Sequence, residues 1–397
     1  MTRKTFAFAA LALSACGGQT VVGGGPGGEI TPVAAAIYCG QGDICTIAGT
    51  GIAGDGADGQ KATDTRLYLP QDVSVGPDKR IYVVDWNNHR VRAVDADGVM
   101  HIVAGIGELG LSADDPSTNR LNHPTNVAFD PNEPGQMLIA AWHNSRIKKV
   151  DLASGAIIDV CGTGKRGFGG NGGPAMMATL DLPVALVFDA RGDMLIADQA
   201  NQMVRKVDHT TDVITTIAGV GRCMDNINPN PCMPINDGGP ATAASFHFPI
   251  GQAASPGGRI ALGPDGSLYV ADTENFRLRR IDPEGKIETF AGTGTWGYAG
   301  DGGPAKDAQL GRLADVAVAR DGSVYIADTD NSCVRVVSPS TGLITTFAGQ
   351  CGQRGFAGDG AAARDAKLDR PAGLEIGPLG DVFIADTHNN RIRVVGR

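Results

Sequence analysis

Short apolar runs recur along the chain at intervals too regular for chance and too brief for helices. Six of them share one form: Ile81-Tyr-Val-Val-Asp85, Met137-Leu-Ile-Ala-Ala141, Met194-Leu-Ile-Ala-Asp198, Leu268-Tyr-Val-Ala-Asp272, Val324-Tyr-Ile-Ala-Asp328 and Val382-Phe-Ile-Ala-Asp386. Their fifth positions lie 56, 57, 74, 56 and 58 residues apart. Each run belongs to a larger unit with four segments of strand character, clearest at 315–319, 324–328, 334–337 and 343–347. Gly, Asp, Asn and Pro separate the segments, as tight antiparallel turns require. The second segment is apolar throughout rather than alternating, which is expected of a strand covered on both faces.

A four-stranded antiparallel unit repeated six times predicts an all-β, six-bladed β-propeller. The chain ends support closure of the ring. An outermost-type strand at 44–48 has no inner strands before it, and a third-type strand at 391–395 has no fourth strand after it. The N-terminal strand is therefore expected to complete the last blade, removing the open ends of the array. The propeller is assigned to 39–397.

After the second strand each unit continues as Asp, two residues, Asn, one residue, Arg, an aliphatic residue and a basic residue, as in Asp272-Thr-Glu-Asn275-Phe-Arg277-Leu-Arg279. The Asn occurs in every copy: Asn88, Asn144, Asn201, Asn275, Asn331 and Asn389. The Asp occurs in five (Asp85, Asp198, Asp272, Asp328, Asp386, with Ala141 the exception) and the Arg in four, Met203 and Cys333 replacing it. This pattern resembles the NHL repeat over residues 43–395. Its recurrence in every blade argues for a scaffold role, with Asp and Asn holding the turn backbone and Arg reaching a carboxylate.

Composition agrees: 57 glycines and 22 prolines but only 5% aromatic residues suit short strands and many turns. The first fifteen residues read differently. Arg3 and Lys4 precede an apolar run at 6–13, and Leu13-Ser-Ala-Cys16 resembles the lipobox of bacterial lipoproteins. That resemblance implies a signal peptide at 1–15, a lipidated Cys16, a Gly-rich tether at 16–38 and an exported protein held at the cell envelope by its lipid alone. The net charge is −9, and it is two units more negative without Arg3 and Lys4, so a nucleic-acid partner is not expected.

Export also permits disulfides. Cys39 with Cys45 and Cys223 with Cys232 are the candidate pairs, Cys161 is expected to be buried and free, and the pairing of Cys333 and Cys351 stays open. No cysteine spacing calls for a metal.

Aligning the inner strands places Asp72, Asn126, Ala185, Arg259, Asp315 and Gly373 in equivalent slots facing the channel. Asp72, Asn126, Arg259 and Asp315 form a candidate binding spot at the channel mouth for a carboxylate-bearing or hydroxylated ligand, against the simpler reading of a water-filled channel. The Gly300-Asp-Gly-Gly-Pro304 type of connection suggests one short helical turn, or a calcium loop with Asp55 and Asp58 as the nearest carboxylates. Propeller enzymes that resemble this repeat, the peptidyl-hydroxyglycine lyases and lactonase-type hydrolases, place metal-binding His or carboxylates in the channel. Here His89, His143 and His388 fall in turns, and no histidine falls in the channel slots. The expectation is a binding or scaffold module without cofactor or catalytic residues, recognising a protein or cell-envelope ligand through its inter-blade connections. A lyase or lactonase-like enzyme with its site at the channel mouth is the alternative.

Overall fold

The computed structural model describes residues 39–110, 118–221, 236–251 and 253–397. Cys16 and the pair Cys223 and Cys232 lie outside the described residues. Six antiparallel sheets follow one another, with inner strands Asp72–Val75, Pro124–Phe129, Pro183–Phe188, Ile260–Leu262, Leu313–Val318 and Gly373–Ile376 defining blades 1 to 6. Each inner strand packs on the next, and the sixth packs on the first, so the array is a closed ring.

Closure uses the N-terminal strand Asp43–Ala48, which pairs with Arg391–Val395 through Cys45 opposite Val394 and Thr46 opposite Arg393. The Cys39–Cys45 disulfide ties the entering chain to that strand.

Second strands such as Ile81–Asp85 and Val324–Asp328 are buried at every position. Alternate side chains leave opposite faces of a strand, so one strand serves two interfaces. Tyr82 and Val84 join the cluster shared with Val127 and Ile139 of blade 2, whereas Ile81 and Val83 join Phe383 and Ala385 of blade 6. Each fully buried Val or Ile contributes about 1.5–3 kcal/mol relative to an exposed one. Inter-blade packing is thus the core of the molecule.

In five blades the connection entering the blade also covers that blade's outer edge. Gln60–Lys61 pairs with the outer strand Val99–Ala104 of blade 1, and Ala361–Ala362 pairs with Asp43–Ala48. In blades 3, 4 and 5 a proline makes the corresponding bridge, Pro174 to Val213, Pro240 to Lys286 and Pro304 to Leu343. Proline suits an edge because it needs no donor there, and pairing blunts the edge against aggregation. The expected helical turn follows as a single 3₁₀ turn, at Ala175–Met177, Ala241–Ala243 and Ala305–Asp307.

Candidate functional site

The turn from second to third strand is built identically in most blades. Asp328 Oδ1 accepts from the Gly311 N–H (2.9 Å) and from Asn331 Nδ2 (2.9 Å). The same Asn331 amide donates to the Gly297 carbonyl of the connection (2.6 Å). Equivalent bonds join Asp85 to Asn88, Asp198 to Asn201, Asp272 to Asn275 and Asp386 to Asn389. In blade 2, where Ala141 replaces the Asp, Asn144 itself accepts the Asn122 N–H (2.8 Å).

The recurring carboxylate partner is the second basic residue of the signature. Arg92, Arg205, Arg279, Arg335 and Arg393 are fully buried, and each faces the Asp of its own blade. Asp55, Asp237, Asp301 and Asp359 of the Gly-rich connections meet the other side of the guanidinium in four of these blades. The loop carboxylates are therefore engaged by arginine: Asp55 by Arg92 and Arg90, while Asp58 accepts the Ile102 N–H. Blade 2 substitutes Lys148 and draws its carboxylate from Asp159 on the outer strand (2.8 Å). Burial is the first cause that raises these turn aspartates, Asp328 to about 7 and Asp198 and Asp386 to about 6, against the lowering effect of their Asn and Arg partners.

The first Arg of the signature mainly serves another purpose. Arg90, Arg146, Arg277 and Arg391 each donate to a carbonyl at the start of the connection, Arg277 to Thr293 and Arg391 to Thr50 at 2.8 Å. Its guanidinium lies where a Cβ on Gly51, Gly107, Gly164 or Gly294 would sit, so a side chain there would have to displace it. Blade 5 lacks this Arg. Its Cys333 forms a disulfide with Cys351, the residue in the equivalent loop position.

In the channel the structure joins the aligned slots to one another. Arg259 of blade 4 reaches across to Asp72 of blade 1 (2.8 Å) and to Asp315 of blade 5 (3.3 Å), and donates to the Gln71 (2.9 Å) and Thr125 carbonyls. Asn126 donates to Asp72 (2.8 Å) and accepts the Leu186 N–H (2.9 Å). Arg259 is 1% exposed and Asp72 2%. Burial alone would lower Arg259, yet Asp72 and Asp315 hold it above its ordinary value. Burial raises Asp315 to about 6 and also raises Asp72, in both cases against Arg259. A charge this buried is tolerable because both terminal nitrogens of the guanidinium have two acceptors each, two of the four being carboxylates. The network divides the channel into two cavities of about 510 Å³ that share no wall residue. The cavity away from the connections holds Glu375, pushed up to about 8 by burial and then by Asp72 and Asp315.

The family model described as Teneurin NHL domain matches residues 30–282, and the NHL repeat matches residues 310–337 and 368–395. The chain belongs to the teneurin NHL domain family. Teneurin-1 of Gallus gallus is 28% identical over 372 residues, which is 85% of this chain but 13% of that protein. NHL repeat-containing protein 2 of Bos taurus is 24% identical over 342 residues, 83% of this chain and 46% of that protein. The chain thus spans less than half the length of these curated relatives. Among solved structures, a Bacteroides thetaiotaomicron protein of unknown function has a TM-score of 0.64 at 17% identity, covering 89% of this chain and 75% of its own. An auxiliary nutrient binding protein from the same species has a TM-score of 0.60 at 16% identity, covering 88% and 75%. These structures share the NHL propeller's fold.

Two groupings in this NHL propeller escaped sequence reasoning. His89, His123 and His143, from two turns and a connection, meet on the connection face: His123 Nδ1 is 3.1 Å from His143 Nδ1, and the His123 N–H donates to His89 Nδ1 (3.2 Å). Trp86 and Trp142 flank them. Burial holds all three histidines below their ordinary range, His123 at about 3 and His143 at about 4. The second grouping is a set of exposed apolar side chains concentrated in the connections, including Ile52, Ile106, Leu109, Phe168, Trp296, Tyr298 and Phe356. The signal was available in the repeat: Phe168, Tyr298 and Phe356 each directly follow the glycine whose carbonyl accepts the repeat asparagine.

Proposed function

We propose that this NHL propeller is a binding module, exported and held at the cell envelope through a lipid on Cys16, that recognises a protein or other extracytoplasmic ligand with its inter-blade connections. One observation carries the reading: aromatic side chains stand exposed at equivalent positions around one face. Phe168 is 52%, Tyr298 52% and Phe356 40% exposed. Arg391 lies over the Phe356 ring at 3.7 Å and Arg205 over that of Phe168 at 4.8 Å, so these rings are held in place before a partner arrives. Large exposed apolar groups gathered on one face mark interaction surfaces, and rigid presentation lowers the entropic cost of binding. Neighbours of the fold named auxiliary nutrient binding proteins support the same class of role. The lipobox-like Leu13-Ser-Ala-Cys16 supports the tether, with 1–15 removed, 16–38 as spacer and 39–397 as the working domain.

The test replaces Phe168, Tyr298 and Phe356 by Ser together. Capture of the ligand from solubilised cell-envelope material should fall at least about tenfold, while the melting temperature changes by only a few degrees. Equal capture by this variant would sink the loop-face reading. For the tether, Cys16→Ser should move the chain from washed membranes to the soluble exported fraction, and retention on membranes would refute it.

A further inference from the structure

On the connection side of the Arg259 network the channel opens into a cup of about 510 Å³, a size suited to a small organic ligand. Its wall is not symmetric. In each blade the residue just before this wall position has its N–H held by the turn Asp, or by Asn144 in blade 2, so the six positions are equivalent. They carry Leu69, His123, Leu182, Phe248, Arg312 and Arg370. Leu182 and Phe248 are fully buried in the core, whereas Arg312 and Arg370 line the cup.

The two arginines differ. Arg312 is neutralised by Glu274 (2.8 Å) and Asp330 (3.7 Å). The Arg370 guanidinium has no hydrogen-bond or ion-pair partner among the described residues, and its Nε is buried with no acceptor. Arg370 thus brings to the cup a guanidinium that no carboxylate of the described residues pairs, where Arg312 has two, and an entering anion would supply that counter-charge. Leu69, Trp86, Pro249 and Ile250 add apolar surface to the same cup. Charge limits the kind of anion: Arg312 and Arg370 together balance Glu274 and Asp330, so these four groups sum to zero before a ligand enters. A monoanion on Arg370 leaves one negative charge in excess beside Glu274 and Asp330, whereas a phosphate dianion leaves two, so the monoanion is the better fit.

We propose that this cup binds a small cyclic or aromatic monocarboxylate, with its carboxylate paired in bidentate fashion to Arg370 and its ring against Trp86. Arg–carboxylate pairing of this kind is planar and directional, which gives the site selectivity over neutral isosteres. The site is separate from the exposed aromatics of the connections, so it stands or falls independently of the partner-binding face.

The experiment titrates the full-length chain with phenylacetate, indole-3-acetate and cyclohexanecarboxylate, reading Trp fluorescence and calorimetric heat, with the corresponding primary amides and inorganic phosphate as controls. At least one carboxylate should saturate below about 10 mM and bind at least about tenfold tighter than its amide. Arg370→Gln should lose at least about tenfold in affinity, and Arg370→Lys should lose less because it keeps the charge but not the fork. Phe168→Ser should leave this binding unchanged. Absence of saturable carboxylate binding, undiminished binding by Arg370→Gln with an unchanged melting curve, or tighter binding of phosphate than of any carboxylate would each overturn the assignment.

Discussion

Arg259 shows how one residue sets the character of the channel. Its guanidinium satisfies groups from three other blades, so replacing it leaves Asp72 and Asp315 buried without their counter-charge. The histidine trio is the opposite case, a buried basic group kept neutral. A base whose folded value lies below its unfolded value of about 6.5 contributes stability that is fully present above that pH and is lost as pH falls toward the folded value. For His123 that window runs from about 6.5 down to about 3. Asp328 works in the reverse sense, because its folded value is raised to about 7, and its ionisation disfavours the fold as pH rises from about 4. The informative measurement is therefore a difference. His123→Gln should melt below the wild type at pH 7.5, and the gap should close or reverse by pH 4. A gap independent of pH would mean that His123 is not held neutral.

Among the elements, the start of each connection is where the repeat departs most usefully from its own rule. Four blades pin it with an Arg donating to a carbonyl over a glycine, and blade 5 pins it with Cys333–Cys351. The two devices are mutually exclusive, since the Arg occupies the space of the Cys351 side chain. Cys351→Ser should cost about 3 kcal/mol, the chain-entropy estimate for a loop of this length. The double change Cys333→Arg with Cys351→Gly should recover about 1 kcal/mol through the hydrogen bond. Denaturant melts would check both, and a double variant no more stable than the single one would show that the devices are not equivalent.

Across the whole molecule, ring closure depends on the strand Asp43–Ala48. Ile44 and Ala48 are fully buried, Ile44 in the cluster shared with blade 5 and Ala48 in the cluster shared with blade 1. Deleting 43–48 removes both contacts and exposes the edge of Arg391–Val395. The melting temperature should fall by more than about 10 °C, with aggregation of the opened ring. A variant that melts as the wild type does would contradict closure by this strand.

What the sequence alone determined is what short-range chemistry encodes: four strands per unit from turn residues and apolar runs, six units from their spacing, and closure from the unmatched strands at 44–48 and 391–395. The Asp and Asn of each turn were legible because they bond within a few residues of themselves. The pair Cys39 and Cys45 was legible for the same reason. Tertiary structure decided whatever depends on which blades face each other and how far a side chain extends. The reach of Arg259 across the channel, the buried carboxylate met by the second basic residue of the signature, and the junction of His89, His123 and His143 all join separate turns, strands or connections. An unpartnered Arg370 beside a neutralised Arg312 is likewise invisible in a repeat alignment, where both occupy one slot. Only their neighbours on the ring, Glu274 and Asp330 for one and none among the described residues for the other, separate them.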